Sequence, residues 1–353
     1  MEGEINNFIK VWLSVFTSLC YCYGIAKIVP KGTPRLLTIV PVVCLFLALP
    51  LNLHTMHLGG TSAFFIAWLA NFKLLMFAFG KGPLSHPSIS LLQFVAIASL
   101  PIKIIQNPPL KTSKKGHKST LNYAIKFILL VLLVRAYDYS EYLHPKITFL
   151  LQCLHVYFAL EIILAMIAAL ARTLLGSELE PQFDEPYLST SLQDFWGRRW
   201  NMMVSRILRP TVYQLTLGLS TGLLGRKWAP LLAVFSTFMA SGLMHELIFY
   251  YLGRARPTWD ITCFFLLHGL CLMVEIAVKK VVTDRYQLPR IISGTLTLAF
   301  VMSTGFWLFF PELFRCNAFE RGSEEYAAMG SFVKNIGRAL MFKSVNGTSV
   351  WSI

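Results

Sequence analysis

Long apolar stretches separated by short basic loops leave this chain one broad kind of fold. Residues 8–29, 36–53, 61–79, 88–105, 121–134, 147–171, 229–251, 261–278 and 291–310 are apolar almost throughout. At 1.5 Å rise per residue, about 20 apolar residues cross a hydrocarbon core. Residues 211–225 are shorter and glycine-rich, which suits a half-helix or a re-entrant segment. Only 14% of residues are charged and mean hydropathy is +0.56, whereas a soluble domain is about 25% charged. The pattern predicts an all-α polytopic integral membrane protein: one domain over residues 1–353, eight to ten membrane segments, and a tail from residue 311. No internal repeat is visible.

Charge bias orients the segments. The net charge is +14, but the basic residues sit in short loops between apolar runs, which excludes nucleic acid and points to cytoplasmic loops, anionic headgroups or an anionic substrate. Lys111, Lys114, Lys115 and Lys118 place the loop at 107–120 in the cytoplasm. The polar stretch 172–210 then falls there too, as do Lys279, Lys280, Arg285 and Arg290. Lys27, Lys31 and Arg35 also require a cytoplasmic loop, so strict alternation fails among the first four segments and one of them should not cross. The N-terminal run lacks a small-residue cleavage pattern and reads as a first membrane helix. Seven scattered cysteines without CxxC or zinc spacing read as small buried hydrophobes, with no metal implied. Asn346-Gly-Thr348 is a weak glycosylation sequon.

The most unusual stretch outside the spans is 181–210, PQFDEPYLSTSLQDFWGRRWNMMVSRILRP. Ser191-Leu-Gln-Asp194 has the form of a capping box, so a helix should begin near Leu192. On a helical wheel Trp196, Trp200, Met203, Val204 and Ile207 share one arc, with Arg198, Arg199, Arg206 and Arg209 opposite. That describes an interfacial helix, aromatic face in lipid and arginine face toward water. Phe195 breaks the pattern and Gly197 weakens the helix. Arginines bind phosphates well, and Asn201, on the flank, could donate to a developing oxyanion.

The apolar run 229–251 contains Ser241-Gly-Leu-Met-His245-Glu246. An ionisable group at membrane depth is expensive and marks a candidate site, and histidine can take a proton from a reacting group. A membrane histidine can also simply bond a neighbouring helix. Three features favour chemistry: Glu246 follows directly, Ser241 and Gly242 keep one face small enough for a substrate to approach, and the Trp/Arg/Asn segment precedes it by one loop. Asn71, Lys73, His155, Glu161 and Glu275 read as structural; His268 could join His245 if their helices are neighbours.

Asp194-Phe-Trp-Gly-Arg-Arg-Trp-Asn201, followed about 40 residues later by Ser241-Gly-Leu-Met-His245-Glu246, resembles the membrane-bound O-acyltransferase superfamily. Trp68-Leu-Ala-Asn-Phe-Lys-Leu-Leu75, Gly82-Pro-Leu-Ser85, Pro181-Gln-Phe-Asp-Glu-Pro-Tyr187, Arg254-Ala-Arg-Pro257 and His268-Gly269 make the chain similar to plant wax synthases, the long-chain-alcohol O-fatty-acyltransferases, over about residues 5–315. The resemblance implies transfer of a fatty acyl group from acyl-CoA to a long-chain alcohol at the endoplasmic reticulum membrane. It implies His245 and Asn201 as the catalytic pair. Arg198, Arg199, Trp196, Trp200, Glu246 and His268 are expected around the substrates.

Acyl-CoA is then a substrate, no cofactor is expected, and membrane lipids are the other partners. A sterol or diacylglycerol acceptor is the alternative within acyl transfer. A proton-coupled carrier would also use membrane His and Glu residues, but the missing repeat counts against it. Oligomeric state is not legible.

Overall fold

The computed structural model describes residues 2–102, 120–175, 182–281 and 288–347. The described residues form helices and no strand. In chain order come α1 (Glu2–Ile25), α2 (Thr33–Ala48), α3 (His57–Ala63), a π-helical stretch Phe64–Ala70 and α4 (Asn71–Ala78). Then follow α5 (Leu91–Ser99), α6 (Thr120–Ala136), α7 (Pro145–Leu175), α8 (Leu192–Asp194), a π-helical turn Phe195–Arg199 and α9 (Met202–Leu208). The chain ends with α10 (Gln214–Gly253), α11 (Asp260–Val281), α12 (Arg290–Thr304), α13 (Phe310–Arg315) and α14 (Ala318–Gly347).

Among the described residues seven helices are long and apolar enough to cross a membrane: Gly3–Ile25, Thr33–Asn52, His57–Ala78, Pro145–Thr173, Met202–Gly253, Asp260–Val281 and Arg290–Arg315. With α6, at 17 residues, this is the multi-pass all-α architecture the hydropathy demands. The 52-residue stretch is interrupted at Gly225, whose φ of 71° and ψ of 166° suit glycine alone. Residues 214–224 are therefore a half-helix, with Leu215, Leu219 and Leu223 facing outward.

The topology puzzle at the N-terminus resolves at α5. Nine residues rise about 13 Å, less than half a hydrocarbon core. A span over 88–105 is thus corrected to a short, non-crossing helix. Ser90 and Gln93 cap its start reciprocally, at 3.2 and 3.1 Å, and Pro101 ends it. A non-crossing α5 supplies the exception to strict alternation that the lysine-rich loop at 107–120 asks for. That loop itself, Arg285 and the end of the Asn346 sequon lie outside the described residues or side chains.

Residues 57–78 form the central rod. Its best apolar window is 78% buried, against 17–39% in the other six, so protein surrounds it on all sides. Lys73 on this rod is fully buried and donates to the carbonyls of Ile97 at 2.5 Å and Leu100 at 2.7 Å. The amine here closes the C-terminal end of α5, where carbonyls lack helical partners. Lys73→Met should orphan both carbonyls and cost about 3 kcal/mol. The expected result is a lower melting temperature in detergent; an unchanged one would refute this role.

One expectation changes, that of the cysteines, and the tail shows a structure on which the sequence is silent. The described part of the tail is helical, and its first turns pack: Glu325 on α14 accepts from the backbone of Met56 at 2.5 Å and His57 at 2.9 Å, and from His57 Nδ1 at 2.6 Å. Its carboxylate thus caps the first turn of α3. Burial alone would raise the Glu325 pKa, but these bonds hold it below the usual value. Of the cysteines only Cys22 and Cys316 are buried, while Cys20, Cys44 and Cys263 are exposed, because small apolar side chains suit a lipid-facing surface as well as a core.

Candidate active site

The site is built from α8 to α11. Ser191 Oγ accepts the Asp194 amide at 3.1 Å, so the helix begins at Leu192 as the capping pattern requires. A second cap comes from α11: Glu275 accepts from the amides of Leu192 at 2.8 Å and Gln193 at 3.4 Å and pairs with Lys279 at 2.6 Å. The structural reading of Glu275 holds, and its job is to pin the start of this segment onto α11.

The single interfacial helix is corrected. A π-helical turn occupies Phe195–Arg199, closed by the Trp200 amide on the Phe195 carbonyl at 2.9 Å. Asn201 then adopts left-handed backbone, φ 39° and ψ 63°, and α9 starts afresh at Met202. The aromatic arc faces protein, not lipid. Trp196 packs on Phe238, Phe265 and His268, while Trp200 packs on Tyr157, Phe183 and Phe195. Met203, Val204 and Ile207 are buried with Phe65 and Trp68. The wheel found a real apolar face, but periodicity does not say whether lipid or protein covers it.

Asn201 is held from both sides. The Met202 amide donates to Gln182 O at 2.9 Å, and Ser205 Oγ donates to Trp196 O at 2.9 Å. Asn201 Oδ1 is buried without a hydrogen-bond partner. A buried polar atom left unpaired costs about 1–3 kcal/mol, and such atoms gather at functional sites.

His245, on α10, places Nδ1 2.7 Å from the carbonyl of Ser241. A carbonyl only accepts, so Nδ1 carries the hydrogen and Nε2 has a free lone pair. The imidazole stacks on Phe265 at 4.3 Å between centroids and meets Trp68 edge to face at 5.0 Å. Glu246 points elsewhere: it is buried and accepts the Thr262 amide at 3.1 Å, capping the first turn of α11. Gly242 also serves packing and not substrate approach, since a Cβ there would lie 3.1 Å from Thr262 Cα.

His268 does neighbour the site, one layer behind it. It is fully buried, receives the Trp196 indole N–H at Nδ1 (3.0 Å), and bonds Thr304 Oγ1 through Nε2 (2.8 Å). Both ring nitrogens are occupied, so His268 fixes Trp196 instead of meeting substrate. The other membrane ionisables also have structural partners: Lys126 pairs with Glu161 at 2.7 Å, and His155 bonds Tyr137 and Tyr326 at 2.9 and 3.2 Å.

Two cavities lie here, with one wall residue in common. One, about 380 Å³, is walled by Trp196, Gly197, Trp200, Asn201, Thr237, Ser241, His245 and Phe265 among others. It joins Asn201 to His245. The second, about 850 Å³, is basic: Arg198, Arg199, Lys279 and Arg290 line it, with Tyr187, Thr190 and Thr295. Gln193 lines both. The two predicted arginines differ in duty. Arg199 is tied to Asp194 at 2.8 Å and to the Asp184 carbonyl at 3.1 Å, whereas Arg198 and Arg290 have no ion-pair partner among the described residues. Lys279 and Arg290, legible in sequence only as orienting charges, turn out to belong to the basin, as does Gln193.

Comparison with known proteins fits this arrangement. Residues 179–267 match the membrane bound O-acyl transferase family, a segment containing both Asn201 and His245. The chain is 53% identical over 339 residues to acyl-CoA–sterol O-acyltransferase 1 of Arabidopsis thaliana, covering 95% of this chain and 98% of that one. It is 44% identical to the long-chain-alcohol O-fatty-acyltransferase of Simmondsia chinensis, covering 95% and 97%. It is 43% identical to probable long-chain-alcohol O-fatty-acyltransferase 3 of Arabidopsis thaliana, covering 95% and 97%. With full-length similarity at this level, and with the matched segment contributing Asn201 and His245 to one cavity and Arg198 and Arg199 to the other, the chain belongs to the membrane-bound O-acyltransferase family as a multi-pass acyltransferase.

Proposed function

We propose that this enzyme transfers a fatty acyl group from acyl-CoA to a long-chain fatty alcohol, giving a wax ester, in the endoplasmic reticulum membrane. The observation that carries this reading is the single cavity shared by Asn201 and His245, adjoining a basic basin at Gln193. In the scheme, His245 Nε2 takes the hydroxyl proton of the alcohol. The alcohol oxygen forms a bond to the thioester carbonyl carbon, and the C–S bond breaks. The departing CoA thiolate recovers the proton from the imidazolium. Asn201 stabilises the oxyanion by donating its side-chain amide N–H. No cofactor enters, and no acyl-enzyme is needed.

Arg198, Lys279 and Arg290 suit the phosphates of CoA, and in this reading the acyl-CoA route from basin to cavity passes Gly197, which lines the cavity beside Arg198. A Cβ on Gly197 would meet nothing within 4 Å, so Gly197→Leu should fold normally while narrowing the route. Its expected effect is a KM for acyl-CoA raised about tenfold or more, with the KM for alcohol and the melting temperature unchanged. An unchanged acyl-CoA KM would remove the basin from the CoA route.

A sterol acceptor is the second reading, favoured by the higher identity to the sterol acyltransferase, 53% against 44%. Expression in yeast unable to make neutral lipids, fed fatty alcohol or sterol, tests both. Wax ester supports the first reading and steryl ester the second. Neither product would overturn the function.

A further inference from the structure

The block Trp68–Leu75 has no role in the scheme above, yet one of its residues touches the reacting histidine. Trp68 sits in the π-helical stretch of the central rod and is fully buried. Its ring meets His245 edge to face, with centroids 5.0 Å apart and planes at 80°. Phe64 packs against the indole in the same fashion, at 5.4 Å and 86°. Trp68 also belongs to the apolar cluster formed by Met203, Val204 and Ile207 of α9, the helix that Asn201 opens. It therefore stands where the Asn201-bearing and His245-bearing helices converge.

The indole N–H makes this placement more than packing. Trp68 Nε1 is buried and has no hydrogen-bond partner. Tryptophan buried in a core normally finds an acceptor for that group, and an orphaned donor carries a penalty of about 1–3 kcal/mol. An aromatic face is the one weak acceptor that edge-to-face geometry supplies. Phe265 covers one face of the imidazole by stacking at 4.3 Å and 29°. The bond from Nδ1 to Ser241 O fixes one point of the ring, but a single hydrogen bond leaves the ring free to rock about it.

We propose that Trp68 is a positioning residue for His245: its unpaired indole N–H is directed at the imidazole and, with the stacked Phe265, clamps the ring so that Nε2 is held toward the cavity. The proposal rests on the reading of His245 as the base. Trp68 acts on the chemical step and contacts neither substrate, so its loss changes kcat and leaves both KM values alone. Clamping of this kind matters because small misplacements of a reacting group can cost about 100-fold in rate.

The test compares purified wild type, Trp68→Leu, Trp68→Phe and Phe64→Leu. Trp68→Leu removes the ring; Trp68→Phe keeps a ring edge and removes the N–H; Phe64→Leu disturbs the packing behind the indole without touching His245. The expected loss in kcat is about 100-fold for Trp68→Leu, with Trp68→Phe intermediate, Phe64→Leu near wild type, and KM for acyl-CoA and alcohol unchanged throughout. In parallel, the rate of His245 modification by diethyl pyrocarbonate is read by mass spectrometry. It should rise in both Trp68 variants and not in Phe64→Leu. This second measurement needs no turnover, so it reports the clamp even if Trp68→Leu is too unstable to assay and even if His245→Ala were to retain activity. Unchanged modification rates in Trp68→Phe, or a folded Trp68→Leu with wild-type kcat, would overturn the proposal.

Discussion

His245→Ala is expected to reduce ester formation by at least about a thousandfold, at the upper end of what one general base contributes. Nothing nearby can replace it. Glu246 is turned onto the Thr262 amide of α11, and His268 has both nitrogens engaged. The variant should fold, because the histidine lines a cavity and its one protein hydrogen bond is to a carbonyl of its own helix. Acyl-CoA binding should persist, since Arg198, Lys279 and Arg290 lie in the neighbouring basin. Purified protein supplied with labelled acyl-CoA and alcohol gives the answer directly; retained turnover would remove His245 from the chemistry.

Asn201→Ala should lower kcat by about 100- to 1,000-fold, the usual result of removing one oxyanion donor. Alanine here confounds two effects. Asn201 has φ 39°, a left-handed conformation that asparagine tolerates and alanine resists at roughly 1–2 kcal/mol. Asn201→Gly separates them: glycine adopts this backbone freely, so stability returns toward wild type, while the amide is still missing. If the amide acts in the reaction, Asn201→Gly remains as inactive as Asn201→Ala. Recovery of activity in Asn201→Gly would reduce Asn201 to a backbone hinge.

Much of this molecule is legible in its sequence because bilayer thickness is a strict ruler. The long spans, the start at Leu192 and the isolated histidine all follow from local chemistry. What sequence does not reveal is what a face packs against. In water an apolar face must turn inward, but a membrane is as apolar as leucine. Hence the Trp196–Ile207 arc reads equally well as lipid-facing or core-facing, and only the fold puts it against Phe238, Tyr157 and Trp68. Gly242 and Glu246 flank His245 in sequence yet serve the junction with α11, because adjacent helical residues point about 100° apart. Lys73 and Glu275 show the converse: partners 24 or more positions away decide whether a membrane charge is structural. Arg198 and Arg199 look equivalent in sequence, and a turn at Asp184 separates their duties.

The central claim is that Asn201 and His245 act together on one bound pair of substrates. A double-mutant cycle on kcat tests it most directly, comparing His245→Ala, Asn201→Gly and the combined variant in labelled acyl-CoA assays. Residues serving one transition state are strongly non-additive. The account predicts that adding Asn201→Gly to His245→Ala costs little further activity. A second full loss of about a hundredfold, as if the two changes were independent, would contradict it.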